Sequence, residues 1–250
     1  RVISDFAEWK NEVEWPDLSC VDFAADGKKL QSRLDPDRAH IFECTEGVFE
    51  RLHEMMPFDE SLLAFYEELE LLEEFFQKMA DYKIEVCRKV FENYGVVDGV
   101  LYHDDWGTQR GGFFSNEMFR EQIMPATRRI MDYIKSQGKY IELHSCGKNI
   151  QYVPEMIELG IDMWTPQVGI NEPDFLVATY GDRMTFAFDM PIAPEATEAQ
   201  IRQQTRDFVD RFGAKGRVMC WIMGTPEQSA IANDELYTYS SAYYKKLYNR

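Results

Sequence analysis

The chain has 250 residues, 45% of them hydrophobic, enough to build one large domain around a full core. A net charge of −17 and a pI of about 4.7 argue against nucleic acid or an anionic membrane as partner. The cysteines (Cys20, Cys44, Cys87, Cys146, Cys220) are odd in number and widely scattered, which suits a reducing cytoplasm rather than a disulfide framework.

No apolar run approaches ~18 residues, so no membrane span is expected. No signal-peptide pattern is found either. The chain opens at Arg1 without an initiator Met, and a preceding segment is expected to be missing from this sequence.

In chain order, residues 1–38 mix Phe6, Trp9, Trp15 and Pro16 with acidic residues and read as short helix and loop. Residues 39–44 are the first strand candidate. From about Asp59 to Tyr94, Leu62, Phe65, Leu69, Leu72, Phe75, Phe76 and Met79 recur at threes and fours, the spacing of helix, here as two helices. Gly95 breaks that pattern, and residues 96–103 read as a strand ending in Asp104-Asp105-Trp106-Gly107.

Ser115 is placed to cap a helix through Gln137, with Pro125 kinking it or starting its second half. Gly138 suits the helix C-terminus. Residues 139–146 form the next strand, in which Ile141 and Leu143 alternate with Glu142 and His144. Further on come a helix near 150–159, a strand at 161–165 leading to Gln167, a helix near 173–180 and a strand at 184–188 leading to Asp189. A capping box, Thr197 with Gln200, starts a helix to Phe212. Residues 217–223 are the last strand. A second box, Thr225 with Gln228 and Pro226 between them, starts a Tyr-rich final helix.

Helix alternates with strand without a linker, the pattern of parallel βα units. At this length a single (β/α)8 barrel domain over 1–250 is favoured over an open sheet. Six strands are clear, so two more are either hidden in residues 1–38 or upstream.

In such a barrel the site lies at the C-terminal strand ends, here Glu43 and Cys44, Asp104 and Asp105, His144 and Cys146, Gln167, Asp189, and Cys220. Each has a plain alternative: a strand-end Asp often caps the next helix, and Cys44 or Cys220 can be a small buried hydrophobe. His144 and Cys146, two apart in extended chain, point the same way. With Cys220 they would supply one nitrogen and two sulfurs and leave a fourth position open, a catalytic zinc pattern.

The run Tyr102-His103-Asp104-Asp105-Trp106-Gly107-Thr108-Gln109, then Ser115, Phe119 and Pro125, then Leu143-His144-Ser145-Cys146-Gly147, and Gly160-Ile161-Asp162 to Pro166-Gln167 resembles the uroporphyrinogen decarboxylase superfamily. It is most similar to that superfamily's cobalamin-dependent methyltransferase branch, over roughly residues 40–240. The resemblance implies a (β/α)8 barrel that moves a methyl group between a corrinoid protein and a thiol or tetrahydrofolate.

In the thiol branch it implies zinc on His144, Cys146 and a later Cys, which maps onto Cys220. That later Cys usually lies in a Gly-Cys-Gly setting, whereas here it lies in Met219-Cys220-Trp221. The resemblance further implies Asp104 and Asp105 as catalytic carboxylates, with Gln109, Gln167 and Asp189 contacting substrate. A homodimer is compatible with it. The alternatives are a cofactor-free uroporphyrinogen decarboxylase, with Asp105 stabilising a protonated pyrrole, and a non-catalytic homologue that binds the corrinoid protein. The decarboxylases' Arg-rich N-terminal motif is not found in this chain.

Overall fold

The computed structural model describes residues 1–214 and 216–248. The chain divides into two compact units, residues 1–162 and 163–250.

Residues 1–38 contain no strand: they form short turns of helix and then α1 (Phe23–Gln31). The first unit continues with β1 (Ile41–Cys44), α2 (Val48–Met55), α3 (Phe58–Glu67), α4 (Leu69–Asn93), β2 (Gly99–His103), α5 (Met124–Ser136), β3 (Tyr140–Ser145) and α6 (Val153–Glu158). The two helices expected between 59 and 94 are α3 and α4, parted at Glu68. Helix α2 has no counterpart in the sequence reading.

Helix α4 buries Leu72, Phe75, Phe76, Met79, Ala80, Cys87 and Val90, one stripe at helical spacing. Each large side chain there contributes about 1.5–3 kcal/mol by leaving water. Lys83 lies in the same stripe, and its ammonium is satisfied by donating to the Thr45 carbonyl at 2.7 Å.

Ser115 caps its helix, its hydroxyl accepting from the Met118 amide at 3.1 Å. One turn on, residues 119–123 widen into a π-turn, and α5 starts with Pro125 in its first turn. Proline has no N–H and its ring collides with the carbonyl four residues back, so the wider turn absorbs the misfit. Of the two outcomes expected for Pro125, it begins the second half. At the other end Gly138 adopts φ +69. The Lys139 amide donates to Ile134 O and the Gly138 amide to Lys135 O, a paired closure that needs the left-handed backbone glycine allows.

β1, β2 and β3 pair in parallel, with Cys44 opposite Tyr102 and His103 opposite His144. Asp162 fixes the start of β3: its carboxylate accepts from the Ile141 amide at 2.8 Å while its own amide donates to Ile141 O.

The second unit consists of β4 (Met163–Pro166), α7 (Pro173–Tyr180), β5 (Thr185–Pro191), α8 (Glu198–Phe212), β6 (Val218–Met223) and α9 (Pro226–Leu247). β4, β5 and β6 pair in parallel, with Phe188 opposite Cys220. Both capping boxes form as expected. Met190, Ile192, Ile201 and Ala232 make a core against which Cys220, Ile222 and Phe208 pack. The α/β class is therefore as expected, with parallel strands and helices alternating, and six of a barrel's strands are described.

Candidate metal centre at the ends of β2 and β3

Parallel pairing sets His103 beside His144, and the two imidazoles stack with centroids 4.8 Å apart and planes 20° from parallel. β2 then runs into Asp104 and Asp105, which divide the work. Asp104 is fully buried and turns toward the start of α2, accepting from the Glu50 amide at 2.8 Å and the Phe49 amide at 3.4 Å. α2 has no capping side chain of its own, its N-cap being Gly47. A Cβ on Gly47 would fall 2.2 Å from the Asp104 carboxyl carbon, so only glycine lets the helix start close onto this carboxylate. Burial pushes the Asp104 carboxyl up to about 7, against the pull of those amides. Asp104 thus caps a helix.

Asp105 turns the other way. Its Oδ1 accepts from the Cys146 amide at 2.6 Å and lies 3.8 Å from His103 Nε2. His144 Nε2 is 3.3 Å from Cys146 Sγ. The remaining His103 nitrogen, Nδ1, is 2.6 Å from Glu50 Oε2, and that carboxylate, first among the causes, raises the imidazole pKa. Burial and the Asp105 charge push the Cys146 thiol up to about 11.

The turn carrying Cys146 is held from several sides. Ser145 Oγ accepts from the Trp106 amide and from Asn149 Nδ2, and Asn149 Nδ2 also reaches Cys146 O at 2.6 Å. Gly147 has φ +95, and a Cβ there would lie 2.3 Å from the Gly107 carbonyl carbon. The loop after β2 folds over this turn through a Gly107–Gly112 bridge and the Lys148 amide, which donates to Thr108 O at 2.7 Å.

One ligand atom from each of His103, Asp105, His144 and Cys146 lies within 4.8 Å of all the others. Two imidazoles, a thiolate and a carboxylate match what zinc and its neighbours take. The Cys146 sulfur and an Asp105 carboxylate oxygen lie within 4.8 Å of one another, where a cation would relieve the repulsion between their charged forms.

The pair expected from the sequence, His144 with Cys146, is brought together, and Asp105 joins it. His103 was missed as a candidate; the signal was its position at the end of β2, where parallel register lines it up with His144. Gln109 is exposed in the loop after β2. Gln167 closes the turn after β4 through its carbonyl, which accepts from Asn171 Nδ2 at 3.0 Å. Asp189 is exposed on β5.

Cys220 lies in the second unit, in a cleft lined by Phe208, Phe212, Leu236 and Tyr244 of α8 and α9. Burial, then the Asp189 charge, pushes its thiol up to about 12. Cys44 is buried beside Cys87, in keeping with its plain reading as a small core residue.

The family model described as Uroporphyrinogen decarboxylase (URO-D) matches residues 27–230. The fold is similar to that of a methyltransferase from Methanosarcina mazei, with TM-score 0.66 and 14% identity, covering 89% of this chain and 64% of that one. The chain thus spans less than two thirds of that protein's length. Two tryptophan synthase structures from M. tuberculosis match at TM-scores of 0.33 and 0.31 and 10% identity, covering 88% of this chain and 95% of each of theirs, too distant to carry an argument. No curated protein matches the sequence.

Proposed function

The chain belongs to the uroporphyrinogen decarboxylase family, and on that premise we propose that it is a methyltransferase, moving a methyl group between a corrinoid protein and a thiol or tetrahydrofolate acceptor. The observation that carries this reading is the cluster of two imidazoles, a thiol and a carboxylate at the ends of β2 and β3. A decarboxylation needing no cofactor would draw on the Asp105 carboxylate but not on the thiol and imidazoles as metal donors. The likeness to the M. mazei methyltransferase supports it at the level of fold.

His103, His144 and Cys146 would hold the metal, zinc by the character of the donors, with Asp105 beside them and one position left to the acceptor. Bound there, it would lower the pKa of an incoming thiol so that the nucleophilic thiolate exists near neutral pH.

The chain's own residues prepare that role. Asp105 takes the Cys146 amide and so sets the direction of the turn that carries the thiol. Cys146 would give up its proton on binding the cation. The Thr108–Lys148 link ties the loop bearing Gln109 to the turn after Cys146, and that side chain would orient the acceptor. No helix among the described residues is long and apolar enough to cross a membrane. The free thiols support a cytoplasmic setting.

The second reading, uroporphyrinogen decarboxylase with Asp105 stabilising the protonated pyrrole, is favoured by the family model itself. Methyl transfer from methylcob(III)alamin to a small thiol or to tetrahydrofolate, followed by absorbance, separates the two. Turnover that depends on added zinc is expected. Absence of turnover with every acceptor, together with carbon dioxide release from uroporphyrinogen, replaces the first reading with the second. Inactivity in both assays leaves the non-catalytic homologue.

A further inference from the structure

Glu50 and Asp104 remain without a part in the reading above, and they meet at one place. Glu50 lies in the first turn of α2, its side chain only 14% exposed. Its Oε2 is 2.6 Å from Nδ1 of His103, while Nε2 of the same ring faces Asp105. The Glu50 amide donates to Asp104, one residue past His103 in the chain. The start of α2 is therefore tied to the end of β2 twice, once by backbone to Asp104 and once by side chain to His103.

A neutral imidazole carries its proton on one nitrogen alone. A carboxylate accepts and does not donate, so opposite Nδ1 it selects the tautomer with the proton on Nδ1 and the lone pair on Nε2.

We infer that Glu50 is a positioning residue for the metal centre, fixing the tautomer and ring direction of His103 so that Nε2 is offered as a donor, and that Asp104 holds Glu50 in place through the α2 amides. The inference rests on the metal reading of the cluster. It also gives the doubled aspartate a division of labour: Asp105 serves the centre directly and Asp104 serves it through α2. Helix α2, which has no capping side chain of its own, is thereby anchored where its one inward carboxylate is needed.

The test uses the full chain as wild type, Glu50→Gln and Glu50→Ala. Zinc affinity is measured by competition with a chromophoric chelator, and the His103 tautomer by nitrogen-15 NMR followed upward in pH until the ring is neutral, since Glu50 holds its pKa above the ordinary imidazole range. The expected result is an Nδ1-protonated His103 in the metal-free wild type. Both variants should then bind zinc about 10–100-fold more weakly, the range for loss of such an outer partner, with unchanged circular dichroism.

Affinities of both variants within about twofold of wild type, against the 10–100-fold expected for an outer-shell partner, overturn the inference. So does an Nε2-protonated His103 in the wild type. A wild type that binds no zinc removes the metal reading itself, and the NMR measurement still decides whether Glu50 sets the tautomer.

Discussion

Cys146 and Cys220 are both zinc ligands by the family resemblance, yet their surroundings differ in kind. Both thiols are pushed upward, to about 11 and about 12, with burial the largest cause for each. Around Cys146 the neighbours are ligand-type groups: His144 Nε2 at 3.3 Å, Asp105 on its amide, and His103 stacked on His144. Around Cys220 they are Phe208, Phe212, Leu236 and Tyr244. One thiol is held among groups that a cation would bring together, and the other fills space between a strand and two helices. A raised pKa alone therefore identifies neither; the neighbours do.

The largest effect expected from this contrast is on metal content. His144→Ala and Cys146→Ser should each lose zinc affinity by more than about 100-fold, beyond what an outer partner costs. Cys220→Ser should keep the wild-type zinc stoichiometry by metal analysis. Loss of zinc in Cys220→Ser would break the contrast and restore the ligand set implied by the family resemblance.

Next comes the turn itself. Gly147→Ala imposes a side chain on φ +95 and drives a Cβ against the Gly107 backbone. Left-handed strain alone costs about 1–3 kcal/mol, so chemical denaturation should find at least that loss, with zinc affinity falling alongside. An equally stable Gly147→Ala protein would mean that the turn at Cys146 is not held as tightly as its hydrogen bonds imply.

These differences also mark what the sequence could disclose. Signals that act within a few residues are legible: both capping boxes, the Gly138 stop, the division of 59–94 into two helices, and the strands that end at His103 and Ser145. Helix α2 was not, because its cap is Asp104, more than fifty residues downstream, and a helix start with no local capping side chain gives no local sign. His103 escaped notice for a related reason. Its value comes from parallel register with His144, a pairing that alternation within one strand does not encode. Cys220 shows the sensitivity to a single residue step: Met219, Trp221 and Met223 on the same strand are exposed while Cys220 packs against helices, so one position of shift decides which face a thiol takes.

The smallest expected effect follows from that packing. Cys220→Ser should cost about 1–3 kcal/mol, the range for setting a hydroxyl in an apolar layer without a partner, and it should change the alkaline stability profile. The unfolded thiol releases its proton near 9, and the folded one is held up to about 12. Between those values the folded state carries more protons than the unfolded state, so this thiol makes stability fall as pH rises from about 9 toward 12. Below about 9 both states are protonated and the group is silent. Subtracting the Cys220→Ser profile from wild type, by urea unfolding across that window, should isolate a difference that shrinks with rising pH. A difference independent of pH would place the Cys220 thiol in a more hydrated setting than the cleft between β6, α8 and α9.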